Sequence, residues 1–172
     1  PAGGDARDVV VHGPWLYVLT GDAVLHVFSL TVAWEPDPVG TLTLPAGRSQ
    51  RLDLEGEVLY AAGPGGLAIL DVAVPEWPAL LGAYDFTGDV EGFDVRGDLA
   101  LVGQSLQSRL LDVSDPAAVT QLALLEVEGW GALLTSNGEA WLGENDCWYE
   151  SGLDVFDVSD PVAPVHLHEE NE

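Results

Sequence analysis

Short apolar segments separated by glycine-containing turns recur four times along the chain. In each repeat an alternating apolar and polar segment, a tight turn and a second apolar segment follow one another, as the two strands of a hairpin do. A loop, a third apolar segment, a proline-rich corner and a last segment complete the repeat. The turn glycines, spaced 43, 41 and 41 residues apart, are Gly13, Gly56, Gly97 and Gly138.

A repeat of about 42 residues with four short strands is typical of a β-propeller blade. No stretch has the three-to-four spacing of an amphipathic helix. The sequence therefore predicts an all-β fold, a single β-propeller domain over residues 1–172 with four four-stranded blades. We number the blades 1 to 4 and expect them at about 5–47, 48–89, 90–129 and 130–172.

Four blades are the smallest number that closes a propeller. An open arc would leave an apolar blade face bare at each end, which costs on the order of 10 kcal/mol for several hundred Å². We therefore expect an arc that is completed by a second copy or by further sequence, and the alternative is a closed four-bladed ring. The start at Pro1 and the lack of methionine favour a processed chain or a fragment of a longer protein.

The corner after the third strand has a repeated polar motif. Asp-Val-Ser-Asp-Pro occurs at 112–116 and at 157–161, Asp71 begins a degenerate copy, and Ser29 lies at the same point of blade 1. Short polar side chains at such corners accept hydrogen bonds from nearby amides, and proline ends the strand. Because the motif recurs with the repeat, we predict a structural role for it and not a catalytic one.

These segments carry a family resemblance. Gly-Leu-Ala-Ile-Leu-Asp-Val at 66–72 and Gly-Leu-Asp-Val-Phe-Asp-Val-Ser-Asp-Pro at 152–161 resemble the LVIVD-repeat β-propellers, which carry a Gly-Leu-x-Ile-x-Asp-(Val/Ile)-Ser-(Asp/Asn)-Pro signature in each blade. The resemblance covers nearly the whole chain and is weakest in blade 1, where Ser29 replaces the signature Asp. It implies the fold and a secreted or cell-surface protein, because most family members are uncharacterised proteins of that kind, and it supplies no catalytic residues.

The charge of the chain excludes some partners. Twenty-nine acidic residues face five arginines and no lysine, so the formal net charge is -24. This acidity argues against binding to nucleic acid or to an anionic membrane surface. No apolar run approaches the roughly 18 residues that cross a bilayer, so no membrane insertion is expected. The acidic surface either serves solubility or attracts cations and basic partners.

The longest loop between second and third strands occurs in blade 4, at 143–152. We call the end of the blades with these loops and the connections between blades the loop-bearing face. An insertion in one repeat often creates a binding site, although this loop could instead fold over its own blade with Trp148 as a lid. Aromatic residues beside carboxylates suit a sugar, a peptide or a basic side chain. The predicted ligand-binding residues are Asp89, Glu91, Trp130, Asp146, Trp148 and Tyr149.

Metal sites are second candidates. Oxygen ligands for calcium are available in the same loop, although their spacing departs from the standard twelve-residue pattern. His166 and His168 would share one face of the last strand, as zinc ligands can, but a solvated outer strand explains them as well. Cys147, the single cysteine, has no His or Lys nearby in sequence and is predicted to be a spectator thiol. The calcium candidates are Glu144, Asn145, Asp146 and Glu150.

Two functions follow from these observations. The first is a non-catalytic interaction or scaffolding module, extracellular or on the cell surface, which needs no cofactor and binds a protein or carbohydrate through the loop-bearing face. The alternative is a metal-dependent hydrolase with Asp53 and Asp94 lining the central channel, although only two of four blades supply an acid there. Arg96-Gly97-Asp98 matches an integrin-binding tripeptide, but it falls at a hairpin turn and we ascribe the match to chance.

Overall fold

The computed structural model describes residues 4–32, 34–143 and 152–171. In these residues sixteen strands form four antiparallel sheets of four strands each, with the strands of every sheet in chain order. Each sheet corresponds to one predicted blade, which confirms the all-β fold with four four-stranded blades.

The strands are short, as the turn spacing predicts. Blade 1 contains β1 (Ala6–His12), β2 (Trp15–Thr20), β3 (Val24–Ser29) and β4 (Asp37–Thr43). Blade 2 contains β5 (Arg51–Glu55), β6 (Val58–Gly63), β7 (Gly66–Asp71) and β8 (Ala79–Tyr84). Blade 3 contains β9 (Gly92–Arg96), β10 (Leu99–Gly103), β11 (Ser108–Asp112) and β12 (Thr120–Leu125). Blade 4 contains β13 (Gly131–Leu134), β14 (Glu139–Gly143), β15 (Gly152–Asp157) and β16 (Val165–Asn171).

The chain divides into two compact units. The first unit ends at Thr87 and holds blades 1 and 2, and the second starts at Gly88 and holds blades 3 and 4. This division lies within two residues of the predicted boundary between blades 2 and 3. A single domain over residues 1–172 stays a prediction.

The four turn glycines lie where the first and second strands of each blade meet. All four have a positive φ, which glycine adopts more readily than any other residue. The values are 56° at Gly13, 60° at Gly56, 58° at Gly97 and 84° at Gly138. The predicted hairpin turns are confirmed.

Each unit has a hydrophobic core between its two sheets, because alternate residues of the middle strands point at the neighbouring blade. In the first unit the buried core side chains are Tyr17, Leu19, Ala23, Leu25, Val27 and Leu44 of blade 1 with Leu59, Ala61, Leu70 and Val72 of blade 2. In the second unit they are Leu101, Leu110 and Leu125 of blade 3 with Leu134, Ala140, Leu142, Phe156 and Val158 of blade 4.

A β-bulge occurs at the same point of every blade, between the third and the outermost strand. In blade 2, for example, Ile69 pairs with Gly82 and Leu70 pairs with Leu80, so that Leu81 has no partner on β7. The equivalent extra residues in the other blades are Val39, Leu122 and Leu167. Such a bulge bends the strand and increases its local twist.

The polar corner motif acts as predicted. Asp71, Asp112 and Asp157 each accept a hydrogen bond, at 2.9 Å, from the backbone N–H two residues further along the chain. Ser29 replaces the aspartate in blade 1, and its Oγ accepts the N–H of Thr31 at 3.4 Å. The motif therefore holds the turn that follows the third strand, and its structural role is confirmed.

Serine strengthens this corner in blades 3 and 4. Hydrogen bonds from the side chain and then the backbone of Ser114 lower the pKa of Asp112, because they stabilise its ionised form. Ser159 lowers the pKa of Asp157 in the same way. Both carboxylates lie at the surface, so these bonds adjust the local turn and not the core.

Candidate functional site

Glu91 and Trp130 occupy the same position in neighbouring blades of the second unit. Each lies directly before the innermost strand of its blade. The N–H of Glu91 donates to the carbonyl of Gly103 at 2.9 Å, and the N–H of Trp130 donates to the carbonyl of Gly143 at 2.8 Å. These bonds extend the pairing of the first two strands and fix both residues at the end of their sheets.

The innermost strands β9 and β13 approach each other closely where they begin. A Cβ atom on Gly92 would lie 2.6 Å from the backbone N of Ala132 and 2.6 Å from the carbonyl C of Gly131. Only glycine permits this approach, since any side chain would collide with the backbone of β13. Because Glu91 and Trp130 directly precede these strands, the structure brings them to the same end of the second unit.

Carboxylates accompany both residues. The Trp130 side chain is 39% exposed, and its indole Nε1 donates to Oε2 of Glu128 at 3.3 Å. Asp89 is exposed and lies two residues before Glu91, as Glu128 does before Trp130. The ring of Trp130 thus has its polar edge on a carboxylate and its faces available for an apolar or cationic group.

Gln104 positions the two segments that carry these side chains. It is buried, its backbone carbonyl accepts the N–H of Gly129 at 3.0 Å, and a Cβ on Gly88 would lie 2.6 Å from its Nε2. Its Oε1 accepts a hydrogen bond from Nε of Arg109 at 2.8 Å. The sequence analysis missed Gln104. The available signal was a large amide side chain directly after β10, where blade 2 has Pro64.

The remaining predicted site residues lie outside the described part of the chain. They are the ligand-binding candidates Asp146, Trp148 and Tyr149, the further calcium candidates Glu144, Asn145 and Glu150, and the thiol Cys147. Their roles stay predictions. Within the described residues, no group of three or more His, Cys, Asp or Glu side chains is placed to hold a metal ion.

The carboxylates of the innermost strands bind backbone groups. Oδ2 of Asp94 accepts the N–H of Leu134 at 2.5 Å, and Nε of Arg96 donates to the carbonyl of the same residue at 2.9 Å. We call this two-point contact between blades 3 and 4 the Leu134 clamp. Asp53 bonds locally, with its Oδ1 accepting the N–H of Leu54 at 2.7 Å. Asp53 and Asp94, the two acids of the hydrolase alternative, therefore both bind backbone groups of the fold.

The first unit has a related contact. Oδ2 of Asp8 accepts the N–H of Leu52 at 2.8 Å. Leu52 and Leu134 lie four residues before their turn glycines, so the accepting carboxylate of the preceding blade reaches the same amide in both units. The acid comes from a different position of the repeat in each unit, which is why the sequence pattern alone did not reveal the contact.

A buried acid lies next to one of the proposed zinc ligands. Asp154 on β15 is 1% exposed, and its Oδ1 lies 2.6 Å from Nε2 of His166 on β16. The imidazole ring stacks on Phe156, with ring centroids 4.5 Å apart. Neither oxygen of Asp154 makes a hydrogen bond among the described residues, so the contact with His166 is an ion pair when the imidazole is protonated. The side chain of His168 lies outside the described part of the chain.

Comparisons with known proteins agree with this architecture. The family model described as LVIVD repeat matches residues 3–27 and 46–86. No curated protein matches the chain. The described residues contain no helix with the length and apolar character that a membrane crossing requires.

Solved structures of two computationally designed proteins resemble the chain. The Ika4 protein has a TM-score of 0.71 and 8% identity, over 90% of this chain and 92% of that one. The Ika8 protein has a TM-score of 0.64 and 10% identity, over 94% of this chain and 60% of that one. At these identities the likeness concerns the fold alone. Together with the four sheets, this likeness supports a β-propeller fold of four four-stranded blades, and the matched segments show that blades 1 and 2 are similar to the LVIVD repeat.

Proposed function

We propose that this protein is a non-catalytic interaction module, secreted or displayed on a cell surface, that binds a protein or carbohydrate partner through its loop-bearing face. The observation that supports this proposal is the placement of Glu91 and Trp130 at one end of adjacent blades. The backbone contact at Gly92 and the pairing of Trp130 with Glu128 set that placement.

The chemistry of this face suits neutral or basic partners. An indole face stacks on the apolar side of a sugar or on a cationic side chain, and carboxylates accept hydrogen bonds from hydroxyl and ammonium groups. The net charge of -24 disfavours polyanions. Strands hold the backbone of the site in place, so a partner would meet a surface that is largely preformed.

The loop of blade 4 extends this proposal. Asp146, Trp148 and Tyr149 would add a second aromatic and acidic group to the same face. A calcium ion on Glu144, Asn145, Asp146 and Glu150 would fix the loop through oxygen ligands. Calcium uptake is measured in Asp146→Asn, which leaves Trp130 unchanged. A loss of uptake in this variant would assign calcium binding to the loop and not to Trp130.

The first prediction concerns Trp130. The protein is applied to immobilised panels of neutral oligosaccharides and of peptides, and each captured ligand is then titrated against the variants. We expect Trp130→Ala to weaken capture about tenfold or more, since exposed aromatic anchors dominate such interfaces.

The matched control is Trp34→Ala, which removes an indole that is 88% exposed at the corner of blade 1. This variant should bind as the unchanged protein does. Equal capture by Trp130→Ala and the unchanged protein, for every ligand in the panels, would contradict the proposed function.

A further inference from the structure

A groove in the first unit is lined by none of the residues proposed for the loop-bearing face. It has a volume of about 540 Å³ and lies between the outermost strand of blade 1 and the corner of blade 2. Its lining residues are His26, Pro38, Val39, Gly40, Thr41, Glu76, Trp77 and Pro78.

Backbone contact between the two blades forms one wall of the groove. A Cβ on Gly40 would lie 2.7 Å from the carbonyl oxygen of Pro75 and 3.1 Å from that of Glu76, so the corner of blade 2 lies directly on β4. β4 is the last strand of its sheet and pairs with β3 along one edge. Its other edge carries no strand among the described residues, so β4 has backbone donors and acceptors of the kind that pair with a further strand.

Trp77 lies in this groove, at a turn that does not require an indole side chain. The backbone N–H of Trp77 donates to the carbonyl of Val74 at 2.8 Å. The backbone N–H groups of Glu35, Ala118 and Ala163 make the same turn contact in the other blades. The turn thus forms with glutamate or alanine at this position. The Trp77 side chain is nevertheless 79% exposed, which is unusual for so large an apolar group.

The ionisable side chains that line the groove are the carboxylate of Glu76 and the imidazole of His26. Glu76 lies next to Trp77, and no arginine is among the described residues that line the groove. The charge of Glu76 also reaches the interior, because burial first and this carboxylate second raise the pKa of Tyr17. A cation that enters the groove would meet an aromatic face and a carboxylate together.

We propose that this groove binds an extended segment of a basic protein, with its backbone along the outer edge of β4 and one lysine or arginine side chain between the Trp77 ring and the Glu76 carboxylate. A strand edge recognises a peptide backbone, and alternate side chains of the peptide reach the flanking groups. A neutral sugar would use the indole but neither the charge of Glu76 nor the strand edge. The groove is therefore a second recognition surface, and its occupant is an extended basic segment that also uses a strand edge.

The test uses a fluorescent octapeptide of alternating valine and lysine as the probe, followed by fluorescence anisotropy on the whole chain. We expect Trp77→Ala to weaken binding roughly tenfold and Glu76→Gln roughly fivefold, from loss of the cation–π and charge-assisted contacts. Trp34→Ala, which removes the exposed indole outside the groove, should bind the probe as the unchanged protein does. Circular dichroism spectra and thermal midpoints of all variants are measured to check that each remains folded.

Three results would overturn the proposal. Equal affinity of Trp77→Ala and the unchanged protein would mean that the probe binds the acidic surface in general. Equal affinity for an octapeptide of valine and glutamine would remove the role of charge. Binding of neutral oligosaccharides that Trp77→Ala abolishes would make the groove a sugar site. Failure of the Trp130 prediction leaves all three results unaffected, so the two proposals are tested separately.

Discussion

At the scale of residues, Asp154 and His166 illustrate how a polar pair occupies a place that another blade fills with apolar side chains. Asp154 lies three residues before the corner aspartate of blade 4, where blade 2 has Ala68. His166 pairs with Phe156 as Leu80 pairs with Leu70. Blade 2 therefore has the apolar residues Ala68 and Leu80 at the positions where blade 4 has Asp154 and His166.

Replacement of this pair gives a stability prediction. His166→Leu should lower the free energy of unfolding by about 1–3 kcal/mol, because the Asp154 carboxylate stays buried without its partner. The double variant Asp154→Ala with His166→Leu copies blade 2 and should recover most of that loss. Urea unfolding of the two single variants and the double variant completes the cycle. A double variant no more stable than His166→Leu would contradict this account.

The corner serine gives a prediction about pH. Ser114→Ala removes the side-chain donor to Asp112, so the pKa of Asp112 should rise towards its ordinary value while that of Asp157 stays lowered. A lowered pKa in the folded state adds stability above the ordinary pKa, and this contribution is lost as the pH falls through the folded pKa. Carboxyl carbon NMR titration measures both aspartates in one sample. An unchanged Asp112 titration would show that the backbone N–H alone sets its pKa.

At the scale of elements, the Leu134 clamp joins two sheets that have no shared strand. Asp94 and Arg96 lie two apart on β9 and therefore point to the same side. Together they offer an acceptor and a donor to the N–H and C=O of one residue on β13. The two side chains thus replace the backbone groups of a neighbouring strand.

Loss of the clamp should weaken the contact between blades 3 and 4. We expect Asp94→Ala to lower the free energy of unfolding by about 1–3 kcal/mol, because the amide of Leu134 loses its acceptor. Hydrogen exchange should become faster at that amide. Asp98→Ala, in the exposed turn of the same hairpin, is the control and should change neither quantity. Full protection of the Leu134 amide in Asp94→Ala would rule out the clamp.

The elements were predictable from sequence because the information is local. Alternating apolar residues, positive-φ glycines and corner aspartates act within a few residues, so the four blades and their turns followed directly. The clamp joins residues about 40 apart, and the groove at Trp77 depends on the close approach of Gly40 to Pro75. Such contacts require the packing of one blade on the next, which a repeat pattern alone does not specify.

At the scale of the whole molecule, the candidate site was predicted only in part. Asp89, Glu91 and Trp130 were chosen from their place between blades, and the described structure brings Glu91 and Trp130 to equivalent positions. Gln104 was missed because its role depends on contacts from Gly88 and Gly129, which arrive from two different connections. The equivalent positions of Glu91 and Trp130 were readable from the repeat, the contacts of Gln104 were not, and the binding role of this face stays a prediction.

The sequence leaves three ways to complete the propeller, which are further sequence, a second copy or a closed four-bladed ring, and the last two differ in mass. A ring closed by one chain has a mass of 18.2 kDa in solution, and a ring completed by a second copy has twice that mass. Light scattering at several concentrations distinguishes them, since only the paired form dissociates on dilution.

The bulge repeated in all four blades has a consequence for crowded solutions of this protein. Outermost strands are the parts of a sheet on which other chains can grow as fibrils, and here they carry exposed leucines such as Leu80 and Leu124. One extra residue per blade bends each of these strands, so a flat, rigid ribbon of identical molecules should fit against it less well than a flexible peptide. We therefore expect this irregularity, which occurs in all four blades, to lower the tendency of the protein to aggregate.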